Sequence, residues 1–219
     1  MNRLLIRVAE TEDLAAIRRV SLSAFTPVAH ALGYRPSPMT ADYRDAVEAR
    51  FGFVAVLETE GETKGETKGG GGLDLGSSNI VGFAVTRPRP SGMTPPGVLL
   101  ERVRGGETRD ERLDRAIRRD GALYVEALAV SAGAQRRGVG RALMEAVESL
   151  AVGLSLPRVQ LHTDPRLAQA KNFYVSRGYV ASLRPETGIG PGARTLYSKR
   201  LSTLLQQKLA SGASALRRS

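Results

Sequence analysis

Short apolar runs alternate with amphipathic stretches along the chain, and this alternation predicts a sheet flanked by helices. The runs are rich in β-branched and other apolar residues and end at glycine, proline or polar residues, as strands do. They cover residues 4–7, 53–58, 79–86, 123–130, 158–163, 179–180 and 195–201. Between the runs, apolar residues recur at helical spacing in stretches that begin near Thr11, Gly138 and Asp164. The pattern therefore predicts six to seven strands with helices between them.

The ends of the predicted helices carry residues that suit helix caps. Thr11 is the expected N-cap of the first helix. Residues 25–40 combine prolines and a glycine with apolar residues, which predicts a loop or a broken helix, and a second short helix is expected over residues 40–50. Pro165 suits the first position of the last helix, and Gly178 suits its C-terminal end.

Three segments fit no part of the predicted core. Residues 59–78 contain a duplicated Gly-Glu-Thr-Lys unit and a run of glycines, a composition that cannot bury apolar surface. Residues 87–121 join a proline-rich stretch to a mostly charged helical one, and residues 202–219 form a polar, basic tail. The length of 219 residues predicts a single domain, placed at residues 1–201, from which the first two segments extend as a loop and an insertion.

The composition limits the chemistry that the chain can perform. It has no cysteine, which excludes disulfides and thiolate catalysis. Its two histidines, His30 and His162, have no carboxylates at metal-ligand spacing, so no metal site is expected. No apolar run approaches about 18 residues and no signal peptide is evident, so a cytoplasmic protein without a membrane anchor is expected. The net charge of +10 fits a phosphate-bearing cofactor, nucleic acid or an acidic protein surface, and equally an ordinary solvated basic surface.

Residues 123–144 carry the most specific chemistry in the sequence. A buried strand with one internal carboxylate, Glu126, leads through a short loop into an amphipathic helix. A helix N-terminus presents unpaired N–H groups and partial positive charge, so it suits a phosphate. Gly138 and Gly140 would let an oxyanion approach the backbone, and Arg136, Arg137 and Arg141 add positive charge. The spacing matches neither the dinucleotide-binding pattern nor the Walker pattern.

Two motifs in the chain agree in order and spacing. The first is an apolar strand with an internal glutamate, then Ala-Val, a short spacer and Gln-x-x-Gly-x-Gly-x-Ala-Leu, which begins at Gln135. The second, over residues 170–180, has the form Ala-x-x-x-Tyr-x-x-x-Gly-Tyr. Together they resemble the GNAT superfamily, the acetyl-CoA-dependent N-acetyltransferases. The resemblance implies an α/β fold of the α+β kind, with a mixed, mostly antiparallel central sheet of six to seven strands flanked by helices.

The same resemblance implies an acyltransferase that moves the acetyl group of acetyl-CoA directly to a primary amine in a ternary complex. It assigns the pyrophosphate of the co-substrate to the loop and the pantetheine to the strand before the loop. The implied cofactor-binding residues are Leu128, Ala129, Val130, Gln135, Arg136, Arg137, Gly138, Val139, Gly140, Arg141 and Asn172. Leu167 stands where members of the family often carry asparagine, and Asn172 or Gln169 is the expected substitute.

Two residues are implied as catalytic, and a structural interpretation stays open for each. Glu126 is the implied base, acting directly or through water, because a carboxylate in an apolar strand is costly unless it faces a cleft. It would otherwise pair with an arginine. Tyr174 is implied as the acid that protonates the leaving thiolate, or else it is a core aromatic residue. For His162 a structural hydrogen bond is the favoured role.

Three functions remain open from the sequence. The leading one is an N-acetyltransferase whose acceptor is a protein N-terminus, a lysine or a small-molecule amine. The alternative is a non-catalytic, CoA-binding regulatory module with the GNAT fold. The third is a nucleic-acid-binding protein that uses the arginines, although the chain lacks the interleaved aromatic and basic residues typical of that class. The sequence leaves open whether the chain forms a homodimer.

Overall fold

The strands and helices of the chain were located in a computed structural model that describes residues 2–59, 79–89, 121–182 and 194–201. Its strands are β1 (Asn2–Val8), β2 (Gly52–Thr59), β3 (Ile80–Arg89), β4 (Ala122–Val130), β5 (Arg158–Thr163), β6 (Val180–Ala181) and β7 (Thr195–Arg200). Its α-helices are α1 (Leu14–Leu32), α2 (Arg44–Glu48), α3 (Val139–Gly153) and α4 (Ala168–Ser176).

The strands form one mixed sheet in the order β1-β2-β3-β4-β5-β7-β6. β4 and β5 pair in parallel, whereas β1 with β2, β2 with β3, β5 with β7 and β6 with β7 are antiparallel. This confirms the predicted α/β fold with a mixed, mostly antiparallel sheet of six to seven strands flanked by helices.

The chain divides into two compact units. Unit 1 comprises Met1–Thr86 and Glu126–Ala146, and unit 2 comprises Arg87–Val125 and Val147–Ser219. The boundary passes through β4 and α3, so each of these two elements contributes residues to both units. The single domain expected over residues 1–201 remains a prediction.

The segments expected outside the core lie almost wholly outside the described residues. This applies to residues 60–78, 90–120 and 202–219, whose predicted character is therefore not compared with the structure. One boundary is corrected, since residues 87–89, which were expected to lie in a turn, belong to β3. Pro88 removes a donor from the strand but its fixed φ is compatible with an extended backbone.

The core of unit 1 joins α1 and α2 to the strands. The ring of Phe83, a fully buried residue of β3, lies 5.7 Å from that of Tyr43, measured between centroids. β4 adds the small side chains of Ala127 and Ala129 to the same cluster. The buried members from the two helices are Ala16, Ile17, Val20, Ala46 and Val47. Small residues on β4 allow this strand to lie close to the helices that cover it.

Helix α1 is longer than the sequence predicted. It passes through Pro27 and ends at Leu32, and the N–H of Gly33 donates to the Ala29 carbonyl at 2.9 Å. The prediction of a loop or broken helix over residues 25–40 was therefore wrong for its first half. Burial of one face of the helix offsets the hydrogen bond that a proline removes, and tertiary packing of this kind routinely overrides local propensity.

The start of α1 is fixed by Asp13 rather than by the predicted cap, Thr11. The Asp13 carboxylate is buried and accepts the Glu10 N–H at 2.8 Å and two N–H groups of Arg7 at 2.6 and 2.8 Å. Thr11 instead opens a short 3-10 turn. The prediction failed because the local bond to the Glu10 N–H comes from Asp13, whose burial depends on its ion pair with Arg7 of β1.

The last helix also begins later than predicted. Pro165 lies in a turn, and α4 starts at Ala168. The buried Asp164 carboxylate accepts the backbone N–H of Arg166 at 2.9 Å and its guanidinium at 2.7 and 3.0 Å, which holds that turn. The predicted end is confirmed, since Gly178 follows α4 with φ 82° and donates to Val175 at 3.0 Å.

Gly82 in β3 is a point of close backbone approach. A Cβ at this position would lie 3.0 Å from the carbonyl oxygen of Ala129, 3.0 Å from Val139 and 3.2 Å from Leu143. The pairing of β2 with β3 also shifts register beside it. A glycine inside a strand often marks a bulge or a close backbone approach, and Gly82 shows both features.

We expect Gly82→Val to lower the free energy of unfolding by about 1–3 kcal/mol, because the added atoms must displace a backbone carbonyl and two buried side chains. Urea unfolding at fixed pH measures the change. The control is Gly133→Val, since a Cβ there has no neighbour within 4 Å. Equal stability of the Gly82 variant and the wild type would show that this region of β3 can relax.

Candidate functional site

Strand β4 presents one buried and one partly accessible face. Ala127 and Ala129 are buried in the core of unit 1. Glu126, Leu128 and Val130 alternate with them and are half-buried. In a strand, residues two apart point to the same side, so these three share the accessible face. Of the residues predicted to line the pantetheine, the side chain of Ala129 is thus turned into the core.

The loop after β4 has a backbone conformation that suits an anion. Arg136 and Gly138 have positive φ values of 62° and 82°, and α3 begins directly afterwards. Arg137, between them, is not left-handed. Where right- and left-handed residues alternate, successive backbone N–H groups point toward one side and form a concavity for anions. The N-terminus of the helix adds further N–H groups and partial positive charge. The predicted phosphate site therefore has an appropriate backbone, and glycine at position 138 fits a φ that other residues rarely adopt.

The side chains of this loop divide into two groups. Arg136, Arg137 and Arg141 are exposed, and Arg141 donates to Glu145 at 2.8 Å. Gln135 is also exposed, and its amide donates to the Val130 carbonyl at 3.1 Å, which closes the loop against the strand. The second group is Val139, whose side chain is only 2% exposed and therefore cannot contact a ligand in the loop. Its predicted contribution to cofactor binding is therefore limited to its backbone.

Tyr43 is a neighbour of Glu126 that the sequence analysis did not identify. It is buried, and burial together with the charge of Glu126 raises its pKa above the ordinary phenol value. Its hydroxyl donates to the Pro38 carbonyl at 3.4 Å, and the same carbonyl accepts the hydroxyl of Ser21 at 2.6 Å. The loop between α1 and α2 is thus fastened to α1 in the unit that carries Glu126. An isolated tyrosine just before a short helix gave no sequence signal for this arrangement.

Tyr174 lies in a cluster of aromatic rings in unit 2. Its ring centroid is 5.2 Å from Phe173, 5.9 Å from Tyr179 and 6.1 Å from Tyr197. Burial, with a smaller contribution from Tyr124, raises its pKa above the ordinary phenol value. The hydroxyl of Tyr174 makes no hydrogen bond to any of the described residues. The phenol therefore stays protonated and has a proton available to donate.

The stability of the protein should fall as the pH rises above 10.0, the ordinary phenol value. Burial raises the pKa of Tyr174 and also that of Tyr179, so both stay protonated in the folded chain while the unfolded chain loses those protons. The stabilisation is complete below 10.0 and is lost as the pH rises toward the folded values. Urea midpoints from pH 8 to 11 would measure it. A Tyr174→Phe, Tyr179→Phe double variant should show a flatter decline, and an identical slope would contradict the assignment.

A second polar pair lies in unit 2. The hydroxyl of Tyr124 and Nδ1 of His162 are 2.8 Å apart, and the guanidinium carbon of Arg89 lies 3.8 Å from the centroid of the Tyr124 ring. His162 thus makes a hydrogen bond, as expected. Tyr124 was not identified, although it stands two positions before Glu126 on β4 and pairs with Gln160 across the parallel ladder. A histidine ring nitrogen can act as a base, so this pair is a second candidate for the base of a proton transfer.

The predicted site residues fall into two groups by unit. Unit 1 holds Glu126, residues 128–130 and the loop at 135–141. Unit 2 holds Asn172 and Tyr174. Asn172 and the other expected substitute for the missing asparagine, Gln169, are both exposed on α4, so the geometry does not choose between them.

Two further features are absent from the described residues. Within them, no helix is both long enough and apolar enough to cross a membrane. The same ranges contain no cluster of three or more histidine, aspartate or glutamate side chains arranged to hold a metal ion.

Comparison with known proteins adds independent findings. The model of the acetyltransferase (GNAT) family matches residues 34–179. No curated protein sequence matched the chain. Several solved structures share its fold. One is the ribosomal-protein-S18-alanine N-acetyltransferase from Escherichia coli, with 20% identity, a TM-score of 0.53 and coverage of 93% of this chain and 96% of that one.

Two other similar structures lie in the same range. Ard1 from Thermoplasma volcanium has 17% identity and a TM-score of 0.55, with 90% of this chain and 97% of that one covered. Naa50 from Arabidopsis thaliana, in complex with the bisubstrate analogue CoA-Ac-MVNAL, has 15% identity and a TM-score of 0.54, with coverage of 90% and 97%. At these identities the likeness shows the fold.

Proposed function

The chain belongs to the acetyltransferase (GNAT) family, and on that premise we propose that it transfers the acetyl group of acetyl-CoA to a primary amine. The observation that carries the proposal is the extent of the family match. It spans residues 34–179 and so includes the central strand and loop as well as the segment with Tyr174. Members of an acetyltransferase family are acyltransferases, and the identity of the acceptor amine is the part that needs experiment.

Acetyl-CoA would bind along β4 and at the start of α3. The pyrophosphate would be held by backbone N–H groups of residues 135–141, where the positive φ values of Arg136 and Gly138 and the N-terminus of α3 coincide. The exposed arginines supply charge-assisted hydrogen bonds. Leu128, Ala129 and Val130 would lie beside the pantetheine through their backbone, and Asn172 is the proposed additional contact from α4.

The chemistry needs a base, a group that stabilises the developing oxyanion, and an acid for the leaving thiolate. In unit 1, Glu126 on the accessible face of β4 is the proposed base, acting directly or through water, because it is half-buried and carries a negative charge beside a buried phenol. In unit 2, Tyr174 is the proposed acid. Its phenol is protonated, and it gives that proton to the sulfur as the thioester bond breaks and the amide bond forms.

The class of acceptor amine, the extent of the domain and the location of the protein are also proposed. Two of the similar structures carry names that refer to a ribosomal-protein alanine and to a CoA-linked peptide, so peptide N-termini head the acceptor panel. Lysine side chains and small-molecule amines complete it. We also propose a single domain over residues 1–201 and a cytoplasmic location, with neither nucleic acid nor membrane as a partner.

The experiment that tests the proposal has two steps. Calorimetric titration with acetyl-CoA and, separately, CoA measures binding, and a thiol-release assay over the amine panel measures transfer. Because the chain contains no cysteine, the protein adds no thiol background to that assay. Binding with acceptor-dependent thiol release supports the enzyme. Binding without release on the whole panel supports the alternative, a CoA-binding regulatory module, and no binding rejects both.

A further inference from the structure

Glu148 is a buried carboxylate in α3 that bonds donors from separate segments of unit 2. It is 5% exposed. Its Oε1 accepts the hydroxyl of Tyr179 at 3.2 Å and Nη2 of Arg177 at 3.3 Å. Its Oε2 accepts Nζ of Lys199, in β7, at 2.9 Å. One carboxylate thus connects α3, the segment after α4 and the strand β7.

The residues that Glu148 binds are those that surround Tyr174. The N–H groups of Arg177 and Tyr179 both donate to the backbone carbonyl of Tyr174, at 3.0 and 3.1 Å. The ring of Tyr179 packs edge-on against that of Tyr174, with centroids 5.9 Å apart. β7 contributes the other contact, since Tyr197, two residues before Lys199, lies 6.1 Å from Tyr174.

Tyr174 depends on these neighbours for its orientation. Its hydroxyl is not hydrogen-bonded to any described residue, so packing and its backbone, rather than a side-chain partner, determine where that hydroxyl points. The ring is buried against the three aromatic neighbours. Two of them, Tyr179 and Tyr197, belong to segments that Glu148 holds.

We propose that Glu148 is a positioning residue for Tyr174, which it places by fixing the segment after α4 and the strand β7 around it. This inference rests on the proposed function, in which Tyr174 is the acid. Glu148 does not touch the reacting atoms and takes no proton in the transfer. Its negative charge faces two cations, Arg177 and Lys199, so a neutral amide in its place would weaken both contacts and allow the segments to shift.

The central test compares kcat and KM in Glu148→Gln and the wild type. A shift of about an ångström in a catalytic group lowers turnover by up to about a hundredfold, so we expect kcat to fall by about ten- to a hundredfold. KM for acetyl-CoA should change much less than kcat, because all the proposed contacts to the co-substrate except Asn172 belong to unit 1. The control is Glu48→Gln, which removes the same charge from an exposed ion pair with Arg44 in α2. Unchanged kcat in the Glu148 variant would overturn the proposal.

A double-variant cycle separates positioning from general stability. If Glu148 acts through Tyr174, then adding Glu148→Gln to Tyr174→Phe should cause no further loss of kcat. A loss that multiplies with that of Tyr174→Phe would overturn the proposal, since Glu148 would then act elsewhere. If the wild-type protein shows no turnover, the proposed function fails before any variant is compared. Failure of the proposed function can therefore be distinguished from failure of the positioning role.

A second variant covers the case in which Glu148→Gln does not fold. Tyr179→Phe keeps the ring that packs on Tyr174 and removes only the hydroxyl bonded to Glu148. We expect a smaller fall in kcat in the same direction, with KM for acetyl-CoA changed less than kcat. In the Tyr174→Phe background the same substitution should cause no further loss of kcat. Unchanged kcat in Tyr179→Phe would overturn the positioning role.

Discussion

Replacing Tyr174 with phenylalanine is expected to lower kcat by about a hundredfold or more, within the range of a lost general acid. Burial keeps the phenol protonated, and its hydroxyl is not engaged by any described residue, so the substitution removes a proton donor while the aromatic packing stays. KM for acetyl-CoA should remain near wild type, because an interaction that forms only as the thiolate leaves affects kcat and not ground-state binding. Steady-state thiol release with the best acceptor measures both.

The control for this substitution is Tyr197→Phe. Tyr197 is also buried and belongs to the same aromatic cluster, so each variant removes one hydroxyl from that cluster and keeps the ring. We expect the Tyr197 variant to keep kcat near wild type. If both variants lost activity equally, packing of the cluster rather than proton donation would explain the effect. Full activity in Tyr174→Phe would remove Tyr174 from the chemistry.

Replacing Glu126 with glutamine is expected to lower kcat/KM by about a hundredfold at neutral pH, where the acceptor amine is protonated and needs a base. The deficit should shrink as the pH rises, because the amine then loses its proton in solution and no longer depends on the protein. A pH series of kcat/KM for variant and wild type tests both statements. The control, Glu58→Gln, neutralises an exposed glutamate of β2 and should follow the wild type throughout.

The competing base is the hydrogen-bonded pair of Tyr124 and His162 in unit 2. His162→Gln in the same pH series distinguishes the two. If Glu126→Gln is fully active and His162→Gln carries the pH-dependent deficit, the base belongs to unit 2. If only Glu126→Gln shows a loss of kcat/KM, Glu126 on β4 remains the proposed base, and the hydrogen bond of His162 is structural.

The alternation of apolar and polar residues predicted the sheet well because each strand buries its own side chains locally. β5 has the predicted bounds, Arg158–Thr163, and β4 begins one residue before its predicted start. Helix ends were less predictable. The start of α1 depends on the ion pair between Arg7 and Asp13, and its passage through Pro27 depends on burial against the strands. Neither cause is visible in the local sequence.

The residues of the candidate site also divide into those that the local sequence predicts and those that depend on distant contacts. The loop at 135–141 was predictable because its glycines and arginines are adjacent in the chain. The left-handed conformation of Arg136 was not, since nothing in an arginine favours it. Contacts between distant segments were also missed. Glu148 is hydrogen-bonded to three residues that follow it in the chain by 29, 31 and 51 positions. Tyr124 is hydrogen-bonded to a residue that follows it by 38 positions. Periodicity within one element carries no information about such pairs.

The buried carboxylate of Glu148 also limits how this sequence can diverge over evolutionary time. Loss of the carboxylate alone removes the charge that two partly buried cations contact, and loss of either cation alone weakens the compensation of the buried carboxylate. Joint replacement by apolar residues of similar volume is tolerated far better. We therefore expect these three residues to change only through coordinated substitutions. Positions 148, 177 and 199 should be inherited together as a block among the descendants of this chain.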